Sequence, residues 1–233
     1  MKIFLPLIGL LAMLFAGCEQ QIPANFDYNH DFTDGLDGWE AGFADYPVGQ
    51  EAFFQLGAEL ALLPEPLDQN KPAFQITGSN RSDDLLMYIQ REFNGLKPNT
   101  EYAIRFQVQF ASQYPENSVG IGGSPGASVY LKVGAKGLAP QTAEDGQGMI
   151  RLDNYDIGNQ STGGEDALVL GSIGIEGDGF EWTLLERDNT SIDFFASSDD
   201  QGRIWFFVGT DSGFEGTTTI YYNRVTVVMA EVQ

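Results

Sequence analysis

Thirty-three Asp and Glu stand against a single histidine and a single cysteine in this chain of 233 residues, and that balance limits the chemistry open to it. Paired carboxylates serve glycoside hydrolysis when an acid and a base or nucleophile lie about 5–10 Å apart. Asp83-Asp84, Glu165-Asp166, Asp211 and Glu215 are the candidates, with solvated loop charge as the plainer reading of each. Gly122-Gly123-Ser124-Pro125-Gly126 lacks the Gly-x-Ser-x-Gly spacing of a nucleophile elbow, and His30, in the opening segment, has no evident route to Ser124. A zinc or copper site needs histidine or cysteine ligands that are not here. Calcium, with oxygen ligands, is the one credible metal, and Asp153, Asp156 and Asp211 are the donors the sequence offers it, outside EF-hand spacing.

Sugar binding asks for exposed aromatic faces flanked by amides and carboxylates. Trp205 sits in an all-apolar run and reads as core, as does Trp39, whereas Trp182 alternates with polar neighbours. Phe214, with Tyr46, Tyr114 and Tyr155, lies on or near loops and offers a platform. The ligand-binding set is therefore Asn159, Asp166, Asp211, Glu215, Trp182 and Phe214. The expectation is that Asn159, Asp166, Asp211 and Glu215 converge on one pocket.

The elements that must position these residues are strands. Tyr102, Ile104, Phe106, Val108 and Phe110 alternate onto one face, and Ser128–Val133 alternates as well. Arg203–Gly209 is apolar on both faces, as a central, covered strand would be. Leu85–Phe93 and Ala167–Ile175 read as further strands, and Thr217–Met229 as a long final one rich in Thr, Val and Tyr. Between them Lys97-Pro98-Asn99-Thr100 and Asp199-Asp200-Gln201-Gly202 are turns. Two Gly-rich segments, Val119–Gly126 and Asp156–Glu165, are too long for tight hairpins, and loops of that kind often carry function. Short strands separated by glycine-rich turns describe an all-β chain, an antiparallel β-sandwich.

The N-terminus is a separate matter. Lys2, an apolar run to Phe15 and the small residues Ala16-Gly17 form a secretory signal, too short to span a bilayer permanently. Leu14-Phe15-Ala16-Gly17-Cys18 resembles the lipobox of bacterial lipoproteins, with Phe15 where that family prefers Leu. The resemblance implies cleavage before Cys18 and acylation of that cysteine, palmitate included. Glu19 in place of the inner-membrane retention Asp implies the outer membrane. The chain then divides into a signal peptide at 1–17, a tether at 18–27 and one domain at 28–233. No second cysteine remains for a disulfide, so stability must come from a packed core. A formal net charge of −21 argues against a nucleic-acid partner, which requires a cationic footprint.

Three short strings resemble carbohydrate-binding modules with a galactose-binding-like jelly roll: Asn29–Trp39, Gly95–Tyr102 and Ile220–Val227. They occur in the family's order and bracket nearly the whole mature chain. The resemblance implies a jelly-roll sandwich and a glycan ligand. Many such modules also hold structural calcium, but the matching positions here are Thr33 and Asn223 or Arg224, which puts that site in doubt. Gly120–Gly126, Gly158–Gly164 and Gly209–Gly216 resemble segments of uncharacterised secreted bacterial proteins. The reading that results is a membrane-anchored, extracytoplasmic, non-catalytic carbohydrate-binding lipoprotein. A structural lipoprotein that docks another envelope protein, and a glycan hydrolase or lyase using loop carboxylates, stand as alternatives.

Overall fold

Alternation along Glu101–Ser112 places Tyr102, Ile104, Phe106, Val108 and Phe110 on a single buried face, each no more than 1% exposed. The computed structural model describes residues 25–232. The signal segment and Cys18 lie outside the described residues. No helix occurs among the described residues.

Fifteen strands follow one another: β1 (Asn25–His30), β2 (Glu40–Ala44), β3 (Tyr46–Pro47), β4 (Gly57–Leu62) and β5 (Pro72–Ser79). Next come β6 (Leu85–Phe93), β7 (Glu101–Ser112), β8 (Val129–Lys136), β9 (Thr142–Glu144) and β10 (Met149–Leu152). The last are β11 (Ala167–Ser172), β12 (Thr183–Asp188), β13 (Phe195–Ser197), β14 (Ile204–Ser212) and β15 (Thr217–Glu231). One sheet runs β12-β7-β15-β5-β4, with β1 also on β15 and β13 also on β7. A second runs β11-β8-β14-β6-β2, and a small third runs β3-β10-β9. All named strand pairs are antiparallel.

The two large sheets stack face to face as a jelly-roll sandwich. Between them pack Ile104, Phe106, Val108, Val225 and Val227 from the first sheet, and Met87, Ile89, Leu131, Val133, Phe206 and Val208 from the second. Full burial of such a side chain contributes roughly 1.5–3 kcal/mol. Trp39 is core, as its motif implies, and donates its indole N–H to the Tyr28 hydroxyl at 2.8 Å. Asn25, Phe26 and Asp27, expected in the tether, belong to β1 instead, because they pair with Ala230, Met229 and Val228 of the last strand.

The second sheet is covered on its outer side too. There Leu86, Tyr88 and Phe207 pack with Ala44, Tyr155, Ile157 and Ala167, the cover coming mainly from the segment between β8 and β11. This cover explains why β14 is apolar on both faces. Trp205, expected in the core, is instead half-buried on that outer face, since its neighbours Ile204 and Phe206 take the inward positions.

Candidate functional site

A cavity of about 190 Å³ opens where the covering segment meets the end of the second sheet. Asp211, near the end of β14, forms one wall; Asp84, immediately before β6, and Asp45, immediately after β2, line it as well. Arg151 and Leu152 come from β10, and Tyr155 through Asn159 from the loop that follows.

Beneath this cavity lies a cation. Lys132 faces outward from β8 and is wholly buried by the covering loop. Its Nζ donates to Asp211 Oδ2 at 2.9 Å, to the Ile157 carbonyl at 2.8 Å and to the Thr162 carbonyl at 3.1 Å. Three ammonium protons thus meet three acceptors. Lys132 pairs with Gly209 in the register and Asp211 with Tyr130, so ammonium and carboxylate meet on the diagonal of neighbouring strands. Asp211 Oδ2 also accepts the Gln160 backbone N–H at 2.8 Å. Its other oxygen, Oδ1, is buried and meets no N–H or O–H donor among the described residues. Unpaired buried polar atoms of this kind cost free energy and are rare.

The second cation is Arg151, which donates to Asp45 Oδ1 at 2.7 Å and, more weakly, to Asp145 Oδ2 at 3.4 Å. Burial pushes the Asp45 carboxyl above the ordinary range, and the Arg151 hydrogen bond partly opposes this. Asp84 has no basic partner within ion-pair distance. Its carboxyl is pushed up to about 7, first by burial and then by the negative charges of Asp211 and Asp45, and it lies within hydrogen-bonding reach of Asp211.

The backbone is forced to build this arrangement. Asp45, Asp83 and Gln160 have φ of 66°, 70° and 40°, left-handed values that a non-glycine residue adopts at a cost. Asn80, only 3% exposed, spans two loops by donating to the carbonyls of Ser212 and Phe214, which fixes the β5–β6 connection against the β14–β15 connection. Gln160 Nε2 reaches the Asp83 carbonyl at 3.2 Å and closes the ring. Within the loop Gly158 has φ +72°, and a Cβ there would stand 2.4 Å from the Thr162 carbonyl oxygen; a Cβ on Gly164 would stand 2.3 Å from Asp156 Oδ1. Only glycine admits that winding.

The residues expected to converge do so in part. Asn159 and Asp211 line the cavity, and so does Asp156, expected as a metal ligand. Asp166 lies nearby on the same sheet face but is committed to the loop, accepting from Lys136 Nζ at 2.7 Å and from the Asp156 N–H at 2.8 Å. Glu215 is exposed and outside the cavity, its N–H held by the Ile121 carbonyl. Phe214 packs over Gly120 and Gly216, and Trp182 stands edge-on to Tyr221 at 5.0 Å, an outer-face residue of the first sheet. These last three therefore leave the proposed pocket. Tyr46, Tyr114 and Tyr155 are buried and present no platform.

The calcium set also fails to assemble. Asp153 is exposed and lies outside the cavity, and Asp156 spends both carboxylate oxygens on the N–H groups of Gly158 and Glu165, which hold its carboxyl below the usual range. Among the described residues no group of three or more His, Cys, Asp or Glu is placed to hold a metal. Where the resemblance implied calcium, Thr33 instead closes a turn on Asp31, and Asn223 donates its amide to Gln109. His30 bonds the Gly35 carbonyl while the Ser124 hydroxyl bonds the Glu116 carbonyl, so the two form no catalytic pair.

No protein-family model and no curated protein matches this chain. Among solved structures, TmCBM61 in complex with β-1,4-galactotriose is similar at 10% identity and a TM-score of 0.38, over 84% of this chain and 92% of that one. TmCBM27, a carbohydrate-binding module studied for mannan recognition, is 12% identical with a TM-score of 0.37, over 89% and 96%. The K1 cleaved adhesin domain of Lys-gingipain from Porphyromonas gingivalis is 12% identical with a TM-score of 0.40, over 87% and 97%.

Proposed function

We propose that this chain is a lipid-anchored envelope protein whose sandwich binds a saccharide unit in the cavity formed by Asp45, Asp84, Arg151, Asn159 and Asp211. One observation carries the reading: a polar cavity holds a buried carboxylate oxygen, Asp211 Oδ1, that no N–H or hydroxyl of the described residues reaches, and the nearest polar neighbour of Asp211 on the cavity side is another carboxyl, Asp84. A ligand rich in hydroxyl groups supplies donors to the carboxylates and acceptors to Arg151. Leu152 and Ile157 add an apolar side against which ring C–H groups pack. At about 190 Å³ the cavity is smaller than the roughly 300–1,000 Å³ of sites for larger ligands, so it suits one sugar residue, such as a chain end.

Glycan-array binding of the full chain in mild detergent tests this. The wild type is expected to bind at least one class of glycan. Asn159→Ala, which removes an exposed amide at the mouth, should weaken that binding about tenfold without lowering the melting temperature. A wild type that binds no glycan ends the proposal. The reading as a partner-docking protein has its own support in the loop after β7, where Val119 and Ile121 are 96% and 72% exposed.

A further inference from the structure

Resting on that saccharide reading, we infer that the unit this cavity takes carries an ammonium group: the cavity selects sugars with a free amine over their N-acetylated and neutral counterparts. The argument is one of charge and donor matching around named atoms. Both cations at the site are already engaged. Lys132 spends all three protons on Asp211 Oδ2 and two carbonyls, and Arg151 is paired with Asp45. Asp84 enters no ion pair among the described residues, and Asp211 Oδ1, on a residue only 3% exposed, has no donor. The wall formed by these two carboxyls thus presents acceptor oxygens with no N–H donor and, at Asp84, no cation to pair with. Asp156 adds a further carboxylate at the rim.

Hydrogen bonds in which donor or acceptor is ionised are roughly twice as strong as neutral ones, so a hydroxyl on a carboxylate already gains, and what an ammonium adds is further donors and the attraction of opposite charges. An ammonium brings three donors and the missing positive charge to Asp84 and Asp211 together. A hydroxyl brings one donor and no charge. An N-acetyl group brings one N–H and a carbonyl that faces acceptors, and a uronate brings like charge. The order of preference therefore runs amine, hydroxyl, N-acetyl, carboxylate.

The test is titration calorimetry of the full chain in mild detergent at pH 6.5, where the amine is charged. The probes are glucosamine, galactosamine and mannosamine, their N-acetyl forms, and the parent hexoses. At least one amine is expected to bind about tenfold or more tightly than its parent hexose. Asp84→Asn, which keeps the shape of the side chain, should bring amine and hexose to parity, with folding checked by its melting curve. Repeating the titration in buffers of different ionisation enthalpy should show release of a proton from Asp84 when the amine binds. A hexose that binds as well as its amine overturns this inference and leaves the saccharide reading standing. Binding of none of the probes, together with an empty glycan array, removes both.

Discussion

An unfolded Asp84 ionises near its ordinary value of 3.8, but the folded protein holds the proton to about 7. Between those two values the native state binds more protons than the unfolded chain, so stability declines as pH rises through that window and stays lower above it. Asp84→Asn removes the penalty. At pH 8 it should be more stable than wild type by about 2 kcal/mol, a figure discounted because the side chain is only partly buried. That corresponds to roughly 4–8 °C in melting temperature for a chain of this size, shrinking toward nothing near pH 4. Equal melting temperatures of the two proteins at pH 8 would show that the carboxyl is not held protonated. The other members of the cluster are harder to read from sequence. Lys132 occupies an outward slot of an alternating strand, where lysine normally meets water. Its neighbour in space, Asp211, is 79 residues away along the chain. The local clue was at Lys132 alone, which stands between Leu131 and Val133, since a charge inside a doubly covered strand needs a partner; Asp211, between Thr210 and Ser212, carries no such mark.

At the scale of elements, period-two alternation placed Glu101–Ser112, and Thr, Val and Tyr content placed the last strand; Leu85–Phe93 is a strand without alternation, its first five residues all being buried. Turn chemistry was as legible: Asn99 and Gly202 take the positive φ expected where the chain reverses. The covering of the second sheet was not legible. Tyr155 and Ile157 look like loop residues until the segment between β8 and β11 is seen to fold back over Phe207 and Tyr88. Sequence spacing alone carries no sign of which way a long loop lies. That loop nonetheless builds the site, through Gly158 and its close approach to Thr162. Gly158→Ala is expected to cost about 1–3 kcal/mol from left-handed strain and overlap, and to weaken ligand binding by displacing Asn159 and Gln160. Glycan affinity measured beside a thermal melt separates this from a general loss of folding; unchanged affinity would mean that the loop does not shape the cavity.

At the scale of the molecule, the sandwich closes around a single core with no disulfide. The proposed attachment belongs to the whole chain, and the residue proposed to carry it, Cys18, precedes the described residues. Cys18→Ser is expected to move the protein from the membrane fraction to the soluble fraction with its fold intact, read by fractionation and circular dichroism. Retention of the serine form in membranes would show that lipid is not what holds it.

For the attachment proposed at Cys18, the register of β1 implies a direction. Asn25 lies opposite Ala230, at the far end of the last strand from Thr217, whereas Asp211 and Asp84 sit where β14 ends and β6 begins, beside the start of β15. A strand of that length covers about 40 Å, and the stretch from Cys18 to Asn25 reaches at most roughly 25 Å. The domain would then stand on its lipid like a buoy on a short mooring, with its mouth turned away from the headgroups. Glycolipids of its own bilayer lie out of reach in that posture, while polymer ends drifting past, or exposed on a facing surface, come within it.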